Sequence, residues 1–488
     1  MKLRELIDGM EIVSARGDMD IRIKDIAYDS RKVKKDFLFV CMEGAKTDGH
    51  LFVQDAIENG AVALIVQKEV NVPENIPVIL VKNSRYALAY VSSVFFGYPS
   101  TKFHLTGITG TKGKTTTTYM VKSILEKSGQ KVGLIGTIAN HIGNEIIYTE
   151  RTTPESYNLQ HLFAEMAERV VDSAVMEVSS QGLALHRVSC TDFDIGVFTN
   201  LSKDHIAPGE HANMEEYFLA KTKLFKMCKQ GLVNADSEYS QRIIAGAECG
   251  ITTYGIYKDA DIRAVDIVKY PDKVEYKAIT PWFEGKITVN IPGIFSVYNS
   301  LAAIGICGMM GISYIDIKAG LERVNVPGRA EVVNTGTDFT VMIDYAHTPD
   351  SLENILSTVK DFAPGRVISL FGCGGDRDKT KRPLMGAVSG RIADFTIITS
   401  DNPRTEEPSA IVKDIEAGIK ETDGKYIVIV DRREAIKYAI MNAQPGDIIV
   451  LAGKGHETYQ TFKDKTINFD EREVVKEILY EIRGKNLE

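Results

Sequence analysis

The chain has only six cysteines, Cys41, Cys190, Cys228, Cys249, Cys307 and Cys373, and no two of them form a CxxC pair. Neither a zinc ribbon nor a disulfide scaffold is therefore expected, and the thiols are read as reduced. Long apolar runs are missing as well. No stretch of about 18 apolar residues occurs, and the N-terminal MKLRELIDGMEIV lacks the apolar core of a signal peptide, so a cytoplasmic location is expected. Positive charge is not in excess: 58 Lys and Arg stand against 66 Asp and Glu, a net charge of −8. With no global field to draw in a polyanion, neither a nucleic acid nor a membrane is expected as a partner, and any polyphosphate must be held locally. The working expectation for assembly is a monomer.

What is present is the composition of an ordinary globular protein. Apolar residues make up 44% and charged residues 25% of 488, enough for about three domains that each bury a core. Residues 1–98 alternate β-type runs (DFLFVCMEG, AVALIV, PVILV) with helical stretches, and Tyr98-Pro99 ends the last of these because proline disfavours helical geometry in its predecessor. Residues 99–328 carry apolar β runs (KVGLIGTI, DSAVMEVSS, FDIGVFTN) separated by helices or loops, as a parallel sheet requires. Within them, 251–291 alternate polar and apolar residues and are expected to form an antiparallel patch. Residues 329–488 repeat the α/β cycle, each β run ending in a polar, glycine-rich tip of the kind that binds ligands in open α/β sheets. The fold class expected is α/β, with a small N-terminal domain, a central phosphate-loop domain with a parallel sheet and a C-terminal Rossmann-like domain.

The sharpest chemical signal is Gly110-Thr111-Lys112-Gly113-Lys114-Thr115-Thr116, placed where a strand should end and a helix begin. Backbone N–H groups and a helix N-terminus there can cradle the phosphates of ATP, with Lys114 reaching the β and γ groups and Thr115 holding Mg²⁺. The usual pattern asks for glycine at 108, and Ile108 stands there instead. A glycine-rich turn with a chance lysine is the plainer alternative.

Further motifs accompany the loop: TTPES from Thr152, MEVSSQGLALHRV, FTNLSKDH, AKTKLF, YNSLAA, PGRAE, DYAHTPDSL, GCGGDRDKTKRP, DNPRTEEP and AGKGHE. In order and spacing they resemble the Mur ligase family, and within it the members that add 2,6-diaminopimelate. The resemblance runs from Asp29 to Glu457. It implies a UDP-sugar-binding N-terminal domain, a central ATP-binding domain and a C-terminal domain that brings in the amino acid. The implied reaction passes the γ-phosphoryl of ATP to a substrate carboxylate, and an amine then attacks the acyl phosphate. Neutralising negative charge is the main catalytic task, shared with two Mg²⁺ ions.

Residue roles follow from the resemblance alone. Lys114, Glu177, His205 and Lys221 are the implied catalytic set, with Thr115, Glu177, His205 and Lys221 around the metals and Lys221 carbamylated, since a carbamate can meet a cation where an ammonium cannot. Asn299, Arg329 and Asp344 are implied in nucleotide binding. Ser30, Lys46, Thr152, Thr153, Ser179 and Arg187 are implied for UDP-N-acetylmuramoyl-L-Ala-D-Glu. Arg377, Asp401, Asn402, Pro403, Arg404, Gly453 and Glu457 are implied for meso-diaminopimelate, Arg404 taking the distal carboxylate that lysine lacks. Taken singly, Lys221 reads as an exposed helical lysine, His205 as a capping or core histidine and Glu177 as an acidic strand end. Arg151 and the loop IAPGEHANMEEY after His205 depart from relatives, the latter leaving the role of His211 open. A lysine-adding relative, a folylpolyglutamate synthetase and a phosphate-loop switch that hydrolyses ATP without forming a bond are the alternatives. On this reading Lys221→Ala should lose ligase turnover and regain part of it when short carboxylates are added, measured as phosphate release.

Overall fold

The computed structural model describes residues 1–44, 47–149, 151–203, 206 and 210–485. The chain forms two compact units. One comprises Met1–Arg263, Ile279–Phe283 and Leu301–Gly320, and the other Ala264–Ala278, Glu284–Ser300 and Leu321–Glu488.

In the first unit, the N-terminal apolar runs form a five-stranded sheet in the order Ser14–Arg16, Val78–Leu80, Ala61–Val66, Phe37–Val40, Asp25–Ala27. Its first strand runs antiparallel to its neighbour and the rest are parallel. The 12-residue helix Ser84–Phe95 buries Ala87, Leu88 and Val91 in this core, and Asn83 Oδ1 accepts the N–H groups of Arg85 and Tyr86 to start it. The helix ends at Phe95, and Gly97 at φ 70° and Tyr98 at φ 53° then turn the chain into Pro99.

The second sheet of this unit has His104–Thr109 at its centre. Ser173–Glu177 and then Val132–Ile135 lie on one side, and Phe193–Phe198, Cys228–Asn234 and Gly250–Gly255 on the other, all parallel. These runs are almost wholly buried, as a sheet covered on both faces requires. The register sets Glu177 beside Ile108 and Phe198 beside Thr109, so three strands end at one level. Ile108 is 0% exposed and still inside its strand. The missing glycine is thereby explained: the sharp turn comes two residues later, at Gly110, where a Cβ would collide with Thr199 Oγ1.

Ile262–Lys269, Val274–Ile279 and Glu284–Val289 neighbour one another in a sheet, and Tyr270 N–H bonded to Lys273 C=O closes the first turn. The antiparallel patch expected over 251–291 is corrected at its start: Gly250–Gly255 runs parallel to Cys228–Asn234 and to Ile262–Arg263, so this stretch continues the parallel sheet before the turns at 270–273 and 280–283. The second unit holds a six-stranded sheet, ordered Glu331–Val333, Thr340–Asp344, Ile448–Ala452, Val367–Phe371, Phe395–Ile398, Tyr426–Val428, and only its first strand is antiparallel. Pairings Asp344↔Ala452, Phe371↔Ala452 and Phe371↔Ile398 align four strand ends. Every polar tip noted in the sequence therefore opens along a single edge.

Two of those ends are tied by an arginine. Arg432, 0% exposed in its side chain, pairs with the equally buried Glu471 at 2.8 Å and donates to the carbonyls of Ser400 and Ala452. Arg432→Met leaves the Glu471 charge buried without a partner and should destabilise this unit by about 3–5 kcal/mol, whereas replacing both by apolar residues should cost much less. Denaturant unfolding midpoints of the two variants check this.

Candidate active site

The phosphate loop is built by the first unit's central strand. Gly110 lies at φ 150° and Gly113 at φ 86°, and the helix Lys114–Lys127 starts from Gly113. Asn200, from FTNLSKDH, clamps the loop: its carbonyl accepts Thr111 N–H at 2.9 Å, its Oδ1 accepts Lys112 N–H at 2.9 Å and its Nδ2 donates to Lys112 C=O at 3.1 Å. Lys114 Nζ donates to the carbonyls of Gly110 (2.9 Å) and Thr111 (3.0 Å), and Thr116 sits half-buried in the first helical turn.

Glu177, 1% exposed, faces this loop. Its carboxylate accepts from Thr115 Oγ1 at 3.0 Å, Thr137 N–H at 2.8 Å and Thr137 Oγ1 at 3.1 Å. Thr137 was not singled out from sequence, although it lies in the apolar run KVGLIGTI. Thr152 meets it through hydroxyls 3.0 Å apart. A threonine hydroxyl and a carboxylate are the hard oxygen donors that Mg²⁺ takes, with phosphate and water completing its shell, so Thr115 and Glu177 fit such an ion. Among the described residues no group of three or more His, Cys, Asp or Glu is gathered for a metal. His205 and Lys46 lie outside the described residues.

Lys221 is not the exposed lysine its own sequence suggests. It is 1% exposed, donates to Gly110 C=O at 2.9 Å and stands 4.5 Å from the centre of the Tyr217 ring. Tyr217, also missed from sequence, has its hydroxyl 3.1 Å from Thr111 Oγ1. His211 is buried 5.1 Å from the same ring, ring centre to ring centre.

Thr153, Ser179 and Arg187 form a chain of contacts beyond Glu177. Thr153 Oγ1 donates to Glu177 C=O and accepts Ser179 N–H, Ser179 Oγ caps the next helix at Gly182 N–H, and Arg187 donates to Thr153 C=O at 3.3 Å. Glu155, 5% exposed, has three guanidiniums around it: Arg85 at 3.6 Å, Arg151 at 3.5 Å and Arg187 at 3.5 Å. Burial above all, and then the other two arginines, lower the pKa of Arg187 against the pull of Glu155, which its buried Nε faces at 3.5 Å. An excess of positive charge around one carboxylate suits an anionic substrate group. Ser30 is buried in the N-terminal sheet's own loop, its carbonyl accepting Asn59 Nδ2.

The second unit gathers its own residues along the aligned strand ends. Asp344 accepts the N–H groups of Ala330 and Ala346, which fixes PGRAE beside DYAH. The Arg329 guanidinium lies 4.9 Å from the Tyr345 ring centre, and His347 and His456 lie against the same ring. Asn299 is buried in the helix Ile294–Met309. Arg404 holds φ 51°, donates Nη1 to Gly375 C=O at 2.8 Å, and shares the neighbourhood of Gly374 with Arg377. Asn402 Nδ2 donates to Glu457 Oε2 at 2.8 Å. Asp401 Oδ1 accepts Asn402 N–H, and its other oxygen stands where a Cβ on Gly453 would intrude. Pro403 packs its carbonyl against Gly375. The residues expected to hold an amino acid thus share one crevice.

Three family models match the chain: the Mur ligase middle domain over residues 108–307, the Mur ligase glutamate ligase domain over 328–455, and the Mur ligase family catalytic domain over 22–95. The chain belongs to the Mur ligase family. It is 50% identical over 482 residues to the UDP-N-acetylmuramoyl-L-alanyl-D-glutamate–2,6-diaminopimelate ligase of Caldanaerobacter subterraneus subsp. tengcongensis, covering 99% of both chains. To a protein of that name from Clostridium acetobutylicum it is 47% identical, covering 99% of this chain and all of the other. A solved structure of a ligase with this name matches at TM-score 0.72 and 29% identity over 99% of both chains. The fold is shared with a MurF ligase from Thermotoga maritima in complex with ADP, at TM-score 0.60 and 17% identity over 96% of this Mur ligase and 98% of that chain. No helix among the described residues is long and apolar enough to cross a membrane.

The crevice of this Mur ligase makes a pH prediction. Burial, then the charges of Arg329 and Arg472 and the neighbouring His347, hold the His456 pKa down to about 4. The unfolded chain takes up a proton near pH 6.5 that the folded protein refuses, so stability is full above about 6.5 and falls as pH drops towards 4. This group contributes a loss of up to roughly 3 kcal/mol. Unfolding curves across that window should show the slope, and His456→Gln should flatten it.

Proposed function

We propose that this Mur ligase adds meso-2,6-diaminopimelate to UDP-N-acetylmuramoyl-L-Ala-D-Glu, with ATP converted to ADP and phosphate, in the cytoplasmic synthesis of peptidoglycan precursors. In this reading residues 1–98 bind the UDP-sugar, 99–328 the ATP and 329–488 the amino acid. The observation that carries it is the crevice in which Arg404, Arg377, Asn402 and Glu457 converge on aligned strand ends. A guanidinium and a carboxylate in one crevice suit the carboxylate and ammonium at the distal end of a diamino diacid.

The chemistry divides by residue. The loop Gly110–Thr116 and Lys114 hold the triphosphate, and Asn299, Arg329 and Asp344 serve the nucleotide. A substrate carboxylate oxygen attacks the γ-phosphorus and ADP leaves; the amine, having lost a proton, attacks the acyl carbon and phosphate leaves. Mg²⁺, when bound, draws charge from the phosphate oxygens; Thr115 and Glu177 would hold one ion and His205 a second. Lys221, buried against the loop, is assigned as the carbamylated lysine. Thr152, Thr153, Ser179 and Arg187 orient the peptide end of the nucleotide substrate, and Ser30 and Lys46 its uridine diphosphate.

Phosphate release from ATP, Mg²⁺ and UDP-N-acetylmuramoyl-L-Ala-D-Glu tests this with meso-diaminopimelate, L-lysine and no amino acid in parallel. Release should depend on diaminopimelate. Lysine should be at least about fivefold poorer, because it leaves the Arg404 guanidinium without its carboxylate, a loss of about 1–3 kcal/mol. Arg404→Ala should erase that preference and leave ATP binding intact. Release with lysine alone would overturn the specificity, and release indifferent to both would favour an ATPase switch.

A further inference from the structure

The crevice contains a lysine that the roles above do not use. Lys454, between Gly453 and Gly455, is 0% exposed. Lysine stems usually carry their ammonium out to water, so a wholly buried one needs partners that make up for the lost hydration. It has them. Nζ donates to Asn402 Oδ1 at 3.3 Å and to Glu457 Oε2 at 3.2 Å, and lies 5.6 Å from the centre of the Tyr459 ring. Asn402 Nδ2 donates to the same Glu457 oxygen at 2.8 Å, so the three side chains close a ring. Asn402 Oδ1 also accepts Thr461 N–H at 2.9 Å, which ties the ring to the neighbouring hairpin.

The arrangement is lopsided. Two donors occupy Oε2 of Glu457, none among the described residues donates to Oε1, and the Glu457 side chain keeps 15% of its surface exposed. We propose that Lys454 is a positioning residue for the amino-acid substrate, holding Oε2 of Glu457 so that Oε1 is presented to the ammonium of an incoming diamino acid. The inference rests on reading this crevice as the amino-acid site. Lys454 touches no substrate; it acts through Glu457 by limiting the carboxylate to one rotamer.

The test uses the full-length enzyme with saturating ATP and UDP-N-acetylmuramoyl-L-Ala-D-Glu, varying meso-diaminopimelate and reading phosphate release and Tm for Lys454→Met, Glu457→Gln and the double variant. Expected is a rise of about 10- to 100-fold in the KM for diaminopimelate in Lys454→Met, with the KM for ATP within about twofold. Expected too is a double variant no worse than Glu457→Gln alone, because removing the intermediary removes the effect. If Lys454→Met lowers Tm but leaves the KM for diaminopimelate unchanged, or raises both KM values together, the lysine is only structural and the proposal fails. Should Lys454→Met not fold, the double variant, which removes both charges, is compared with Glu457→Gln, and a further rise in the KM for diaminopimelate overturns the proposal. A Glu457→Gln enzyme with unaltered KM for diaminopimelate would overturn the amino-acid site itself, and the inference with it.

Discussion

A carboxylate buried to 1% exposure at the end of an interior strand must be hydrogen-bonded, and in this protein the requirement organises the surroundings of the glycine-rich loop. Glu177 gathers Thr115 from the phosphate-loop helix and Thr137 from the turn after a neighbouring strand, and its backbone carbonyl receives Thr153 from the TTPES segment. Three segments distant in sequence are therefore placed by one residue. The parallel register that ends Ser173–Glu177 level with His104–Thr109 is what puts the carboxylate there.

The second unit solves the same problem with cations. Arg432 and Lys454 are both wholly buried, and each links tips of different strands, Arg432 through carbonyls and Lys454 through the side chains of Asn402 and Glu457. Parallel strands aligned at their carboxyl ends leave backbone and side-chain acceptors crowded along one edge, and a buried cation satisfies several at once. That makes the edge stiff. A stiff edge can hold a residue such as Arg404 in a left-handed backbone conformation that an isolated loop would relax from.

Several expectations were legible because local chemistry suffices for them. A glycine-rich stretch between an apolar run and a helical pattern makes a phosphate loop, and apolar runs with polar tips make a parallel sheet; Tyr98-Pro99 marks the boundary near a helix end, although the helix itself stops at Phe95 ahead of Gly97 at φ 70°. Ile108 looked like a defect in the loop and is simply strand. Thr137, Asn200, Tyr217 and Lys454 escaped notice for a common reason: each earns its place by what it touches across strands, and a threonine, asparagine, tyrosine or lysine carries no mark of that in its own neighbourhood.

The amino-acid sequence by itself determined the α/β class, the order of sheets and the motifs by which the chain belongs with the Mur ligases, since periodicity, proline and glycine act over a few residues. Tertiary structure alone decided which of those motif residues are buried and paired. Lys221 reads as a solvent-facing helical lysine and is instead enclosed against Gly110 and Tyr217. Arg151 and Arg187, separated along the chain, meet at Glu155 with Arg85 from the N-terminal domain. Such meetings depend on strand register and long-range packing, which place residues tens of positions apart within hydrogen-bonding reach and which no local stretch of sequence encodes.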